Sequence, residues 1–244
     1  MARLQDKVII ITGAAQGMGA THARLCIEAG AKVVLTDINA EKGQALATEL
    51  GSNALFIQHD VTSEQDWARV LEKTEAQFGT VNVLVNNAGI TMAKSILDIS
   101  LDDYRRIIDI NQVSVFLGMK AVIPSMQKNQ QGSIINISSI NGLVGGAIGY
   151  TDSKFAVRGM TKAAALSCAP YGIRVNSVHP GVIATPMLMQ GDTKAAVEAF
   201  AKSIPLKRVA QPEEVSSIVI YLASDESSYS TGAEFIVDGG LTAQ

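Results

Sequence analysis

Apolar residues in this chain fall into short, largely β-branched runs separated by longer stretches of helical period. The first run, Lys7 to Thr12, contains Val8-Ile-Ile-Ile11 and stops at Gly13. A helical pattern follows from Ala20 to Ala29 and closes at Gly30, a glycine where a helix ends. The alternation then repeats, with strands predicted at Ala31–Thr36, Ala54–Gln58 and Val81–Val85 and helices between them at Glu41–Leu50 and Glu64–Phe78. A long helical region, Leu101 to Lys128, carries Ile107, Ile110, Val113, Phe116 and Leu117 along one side. Beyond it come a strand at Ser133–Ile137, a helix from Tyr150 toward Ala169 and a strand at Ile173–Val178. The segment Val182–Leu206 ends in a polar amphipathic helix, and a helix from Pro212 to Ser224 precedes a last strand, Glu234–Val237. Strands that alternate with helices call for right-handed crossovers, and hence an α/β fold with a doubly wound parallel sheet in three α/β/α layers. No repeat, linker or low-complexity tract interrupts the pattern, so residues 1–244 read as a single domain.

Composition narrows the partners rather than the fold. The chain is 47% hydrophobic, enough for a well-buried core, and its net charge is -3 without a Lys/Arg-rich block. That balance argues against nucleic acid or an anionic membrane and in favour of small soluble ligands. The polar start, Met1 to Lys7, leads into an apolar run too short for a signal core or a span, so a cytoplasmic protein is expected. Cys26 and Cys168 stand in no metal-like or redox-like spacing, which suits buried thiols in a reducing compartment.

Candidate chemistry gathers at the carboxyl ends of the strands. The first strand runs into Thr12-Gly13-Ala14-Ala15-Gln16-Gly17-Met18-Gly19. Glycines there permit a tight turn and close approach of the backbone, and the first helical N–H groups point at an anion such as a pyrophosphate. The spacing is not the common Gly-x-Gly-x-x-Gly, so a purely structural turn stays open at this point. Asp37 ends the second strand about 20 residues on, where a dinucleotide (Rossmann) fold places the acid that binds ribose hydroxyls. A carboxylate there also repels a 2′-phosphate, and neither Gln16 nor Ile38 supplies a cation, so NAD is favoured over NADP. The alternative for Asp37 is a cap on the helix that begins near Ala40. The turn His59-Asp60-Val61-Thr62 could contact adenine, and Asn86-Asn87-Ala88-Gly89 ends the fourth strand with small and amide residues fit for a cofactor floor. Asn111 lies mid-helix without a propensity reason, as a buried group holding a water or a kink, or as an exposed polar residue. Ser138 and Ser139 stand at the end of the fifth strand, and Tyr150 and Lys154, four apart, share one helix face. A cation beside a phenol favours the phenolate, which would make the pair an acid/base for an alcohol oxygen. Met187, Leu188 and Met189 suit an adaptable apolar lining, or equally ordinary core or interface. His22, His59 and His179 are scattered, with no metal spacing, and read as structural; no metal site is assigned.

In order and on these elements, the glycine turn, Asn86-Asn87-Ala88-Gly89, Ser139, Tyr150-x-x-x-Lys154 and Pro180-Gly181 resemble the short-chain dehydrogenases/reductases over Leu4 to Gly240. The tract Arg174 to Gly181, with Thr185-Pro-Met187 after it, is similar to that family's bacterial hydroxysteroid and secondary-alcohol dehydrogenases. The resemblance implies that Tyr150 is the general acid/base and that Lys154 lowers its pKa and binds the nicotinamide ribose. It implies that Ser139 polarises the substrate oxygen, while Asn111 fixes a water in a proton relay. It implies NAD contacts from Gly13, Gln16, Gly17, Met18 and Gly19, from Asp37, Ile38, Asp60 and Val61, from Asn87, Ala88 and Gly89, from Tyr150 and Lys154, and from Pro180, Gly181, Ile183 and Thr185. A homotetramer packed through the helices near Asn111 and Tyr150 is also implied. The ending Leu241-Thr-Ala-Gln244 resembles endings that, in some tetrameric relatives, help form a magnesium site between subunits. One departure stands out: Ile140 to Gly149 is shorter than the family's usual loop of about a dozen residues, which affects the pocket rather than the chemistry. Two other readings are an acyl-carrier-protein ketoreductase, which usually prefers NADPH and a basic docking patch, and a non-catalytic NAD-sensing regulator, a type that tends to lose the Tyr or Lys.

Overall fold

The computed structural model describes residues 3–185, 197 and 199–243. Seven parallel strands form one sheet in the order β3-β2-β1-β4-β5-β6-β7. They are β1 Val8–Thr12, β2 Lys32–Asp37, β3 Ala54–Gln58, β4 Val83–Asn86, β5 Gly132–Ile137, β6 Ile173–Pro180 and β7 Glu234–Val237. Among the described residues the helices are α1 Gly17–Glu28, α2 Ala40–Leu50, α3 Glu64–Phe78, α4 Leu101–Ile108, α5 Ser114–Lys128, α6 Tyr150–Cys168 and α7 Pro212–Ala223. This is the doubly wound α/β fold that the sequence predicts.

The apolar runs work because both sheet faces are covered. Ile9 and Ile11 of β1, with Val33, Leu35, Val83 and Val85, pack under Ala23 and Cys26 of α1 and Val215 and Val219 of α7. Ile10, Val34, Leu84 and Ile134 face the other way, against Trp67 of α3, Val115 and Val122 of α5 and Val157 of α6. Side chains alternate across a strand, so a strand sandwiched between helices is apolar at nearly every position. Helix starts follow short polar caps: Asn39 accepts from Lys42 N, Ser63 from Asp66 N and Ser100 from Asp103 N. Asn39, not Asp37, therefore caps α2, which frees Asp37 from the capping alternative.

Most boundaries shift from expectation by one or two residues, and three larger differences have a physical reason. Helix α1 begins at Gly17 rather than Ala20 although Gly17 and Gly19 are poor intrinsic helix formers, which hid its first turn from the sequence pattern. Strand β6 runs on through His179 and Pro180, which a strand tolerates where no ladder N–H is required. The long helix is broken at Asp109–Val113 by a π turn centred on buried Asn111, the kind of bulge that often marks a functional site. That helix, Leu101–Lys128, is long and apolar enough to span a membrane by composition alone. Much of its apolar surface is instead consumed against α3, β4, β5 and α6.

The chain leaves β1 to build β2 and β3 on one side, then returns to place β4 on the other. Loops from the carboxyl ends of β1 and β4 thus diverge, and a crevice opens between them.

Candidate active site

A cleft of about 330 Å³ occupies that crevice. Its floor is a knot between the first and fourth strand ends. Thr12 Oγ1 accepts from both Asn87 N and Ala88 N, each at 3.0 Å. Asn87 Nδ2 donates back to Thr12 O at 2.9 Å and Gly13 O at 3.1 Å, while its Oδ1 is buried without a partner. A Cβ on Gly13, whose φ is +64, would lie 2.9 Å from Ala88 Cα, and one on Gly19 would lie 2.2 Å from Gly13 O. Only glycine allows these segments to touch. Gln16 caps α1 through no side-chain hydrogen bond, and the first turn of α1 holds no acid. The N–H groups of that turn are left for an anion.

On the outer wall, Asp37 Oδ2 accepts from Ala15 N at 3.0 Å and Oδ1 from Asn39 N at 2.9 Å, so the carboxylate is locked beside the glycine turn. Here the sequence reading missed a cation: Lys42 Nζ sits 2.8 Å from Gln16 Oε1. Lys42 lies within α2, not next to the turn or the acid in sequence, and only helix geometry brings it there. Asp60 and Val61 border the cleft with His59. The His59 ring stacks edge-on to Trp67 and bonds Thr36 Oγ1 at 3.0 Å, and burial lowers its pKa to about 4.

At the inner end, Lys154 is buried and donates to Ile137 O at 2.9 Å. Burial pulls the ammonium down to about 8. The Tyr150 ring centroid lies 5.6 Å from Lys154 Nζ. Burial raises the phenol pKa, opposed by a hydrogen bond with the Ser139 side chain. The expected lowering by Lys154 is not seen: desolvation raises the phenol pKa and only Ser139 opposes it. Ser138 lines the cleft but spends its hydroxyl on Lys154 O at 2.9 Å, whereas Ser139 carries the hydroxyl that meets Tyr150. Asn111 lies beneath: Oδ1 accepts from Ile90 N at 2.8 Å, and Nδ2 donates to Ile90 O at 2.8 Å and Ser153 Oγ at 3.2 Å.

The cleft therefore brings together Gly13, Gln16 to Gly19, Asp37, Ile38, Asp60, Val61, Asn87 to Gly89, Tyr150, Lys154 and Thr185. Its lining does not include Ser139 or Asn111, which lie next to it, nor Pro180, Gly181 or Ile183. Pro180 ends β6, Gly181 packs on Asp238, and Ile183 is buried and bridged to Ala210. Sequence reasoning overlooked Ile90, Arg106, Ile110 and Ile137, which also line the cleft. The isoleucines signal no chemistry, and Arg106 reads from sequence as one more charge on a helix; the loop after β4, the end of α4, the π turn and the end of β5 bring them to the cleft. The apolar lining expected from Met187 to Met189 lies outside the described residues. The loop Ile140 to Gly149 is folded on itself, with Asn141 Nδ2 donating to Gly145 O at 3.0 Å. Among the described residues no group of three or more His, Cys, Asp or Glu side chains is placed to hold a metal ion.

An uncapped helix N-terminus facing a glycine turn, an orphaned amide oxygen on the floor and a Ser-Tyr-Lys set at one end define a dinucleotide-binding oxidoreductase site. A family model described as enoyl-(acyl carrier protein) reductase matches residues 13–242. The chain belongs to the short-chain dehydrogenase/reductase family, whose members use a nicotinamide cofactor. It is 50% identical over 243 residues to a 3-alpha-(or 20-beta)-hydroxysteroid dehydrogenase of Mycobacterium bovis, covering 99% of this chain and 91% of that one. It is 48% identical to a cyclopentanol dehydrogenase of Comamonas sp., with 100% of both covered. An NADP-dependent (R)-specific alcohol dehydrogenase of Lentilactobacillus kefiri is 43% identical, with 99% of both covered. A crystal structure of a short-chain type dehydrogenase/reductase from Mycobacterium marinum superposes with a TM-score of 0.93 at 36% identity, covering 100% of this chain and 98% of that one.

Proposed function

We propose that this protein is a NAD-dependent dehydrogenase that interconverts an apolar secondary alcohol, of the hydroxysteroid or cyclic-alcohol kind, with its ketone. The observation that carries the reading is that Tyr150 and Lys154 line the cleft together, the Tyr150 ring centroid 5.6 Å from the Lys154 ammonium, with the Ser139 side chain opposing the rise in the phenol pKa. A bound nicotinamide would accept or deliver the hydride. The chain's own residues do the rest. The first turn of α1 and the backbone from Gly13 to Gly19 hold the diphosphate, and Asp37 accepts from the adenosine ribose. Asp60 and Val61 border the adenine, and Asn87 to Gly89 form the floor. Thr185, which lines the cleft, would approach the nicotinamide end, where Lys154 would bind the second ribose; Pro180, Gly181 and Ile183 lie behind that wall. Tyr150 hands a proton to the carbonyl oxygen in reduction and takes it back in oxidation, while Ser139 donates to that oxygen as charge develops. A phenol whose pKa is raised by burial stays protonated at neutral pH and is already set to act as the acid. Both amide hydrogens of Asn111 are spent on Ile90 O and Ser153 Oγ, so only an oxygen of Asn111 would be left to hold a water in a proton relay from Tyr150.

The locked Asp37 carboxylate favours NAD, since a 2′-phosphate would meet a fixed negative charge; Lys42 bonds Gln16 rather than Asp37. The names of the relatives support the substrate class, as does the apolar lining by Ile90, Ile110 and Ile137. Both cysteines are free and buried, which supports a cytoplasmic enzyme. A homotetramer is favoured by apolar side chains left exposed on α5 and α6, Phe116, Phe155 and Leu166; a monomer in sedimentation equilibrium would exclude it.

The test is absorbance at the reduced-nicotinamide band with cyclopentanol, a 3α-hydroxysteroid, a 20β-hydroxysteroid and their ketones. Tyr150→Phe is expected to lower kcat by on the order of a hundredfold or more while the Kd for NADH stays near wild type; substantial residual turnover sinks the mechanism. Preference for NADPH over NADH in initial rates would overturn the reading of Asp37. No turnover of any compound, alongside measurable NADH binding, would point to a cofactor-sensing protein instead.

A further inference from the structure

We propose that His179 is a positioning residue for Ser139, holding the backbone of the active-site serine from the neighbouring strand. The inference rests on the reading of Ser139 and Tyr150 given above. His179 is fully buried near the end of β6. Its Nδ1 lies 2.9 Å from Ser139 O and its Nε2 lies 2.9 Å from Ser177 Oγ. A carbonyl oxygen can only accept, so Nδ1 carries the proton, and the bare Nε2 accepts from the Ser177 hydroxyl. One neutral tautomer satisfies both neighbours, and burial, by lowering the pKa, keeps it neutral.

The reason for a side-chain donor here lies in the sheet. Strands β5 and β6 pair up to Ile137 and Val178, and Ser138 N donates to Val178 O at 2.8 Å. In a parallel ladder the next bond would come from the N–H of residue 180, which is proline and has none. The backbone ladder ends just where β5 hands over to Ser139, and the imidazole supplies a donor one residue further along. Ser139 O also accepts from Gly142 N at 2.9 Å, and Ser139 Oγ accepts from Asn141 N at 3.1 Å. The loop after β5 thus holds Ser139 from one side and His179 holds it from the sheet. The Ser139 hydroxyl proton is left for Tyr150 or a substrate oxygen.

Three substitutions separate this role from packing. His179→Phe fills the volume without a donor, His179→Asn keeps an N–H near the Nδ1 position, and His179→Gln projects its amide beyond it. With the alcohol panel named above, H179F is expected to lower kcat on the order of tenfold, with the Kd for NADH unchanged. H179N should recover most of the loss and H179Q little of it. In a Ser139→Ala background, H179F should have no further effect on kcat. A wild-type kcat for H179F, or an equal loss from H179F with and without Ser139, overturns the proposal. Should H179F not fold, H179N against H179Q decides: equal turnover overturns it, and retention by Asn alone supports it. Full activity of S139A on its own overturns the reading of the site and the role of His179 with it, whereas a normal S139A loss with an unaltered H179F effect overturns this inference alone.

Discussion

Thr12 shows how much geometry one side chain can set. Its single hydroxyl oxygen accepts from two consecutive N–H groups, Asn87 and Ala88, at 3.0 Å each. Neither N–H appears with another acceptor, and Thr12 itself is buried. Replacing it with isosteric valine leaves two donors unsatisfied beneath the cleft. Thr12→Val is therefore expected to lose about 2 kcal/mol or more of stability, a fall in Tm of roughly 4–8 °C for a chain of this size. Because the same knot shapes the floor, NADH should bind more weakly too. Thermal unfolding and fluorescence titration check both; an unchanged Tm would mean that the donors find other partners.

At the scale of elements, the strands were legible because a parallel strand covered on both faces is apolar at nearly every position, as Val8 to Ile11 shows throughout and Ser133 to Ile137 shows at its three isoleucines. The helices between them were legible from period and caps. The break at Asp109–Val113 was not, since one inserted residue shifts the apolar face too little to disturb a pattern read over several turns. The glycines of α1 hid its first turn for a different reason, low propensity overridden by the need for close approach to Gly13 and Asn87. Tyr150, Lys154, Ser139 and the glycine turn stood out because chemistry demands particular residue types at fixed spacing. Ile90, Ile110, Ile137 and Lys42 did not, because contact with the cleft or its turn depends on how loops and helices are laid over the sheet, which no local spacing encodes. His179 was read as structural, and the distances give it a partner in Ser139 that sequence separation conceals.

For the whole molecule, the three histidines set the response to acid. Burial lowers His22 to about 3 and His59 to about 4, and lowers His179 as well. The unfolded chain takes up these protons near pH 6.5, whereas the folded protein refuses them until lower pH. The unfolded state thus binds more protons throughout that interval, so stability rises with pH across it and is lost as pH falls from about 6.5 toward 4. Carboxylates with depressed pKa, such as Glu214 at about 2, add their loss only below the unfolded value of about 4.3. Between about pH 6.5 and 4.5 the histidines dominate. Urea unfolding across that interval should show wild type losing on the order of a few kcal/mol, and a His22→Gln, His59→Gln double variant losing distinctly less. Equal slopes would show that these rings are hydrated or protonated in the folded state.

The side-chain amide of Asn111 meets both the N–H and the C=O of Ile90 at 2.8 Å. A strand neighbour makes the same pair of bonds, so this amide serves as a single rung for a stretch of chain that has left the sheet. Aspartate at 111 would set an acceptor against the Ile90 carbonyl, and alanine would leave both groups unmet. Activity lost on changing Asn111 is thus ambiguous evidence about proton movement, because the bed on which a substrate would lie moves with it. A relay role has to be read from solvent isotope effects or pH profiles in variants whose Ile90 backbone still holds its place.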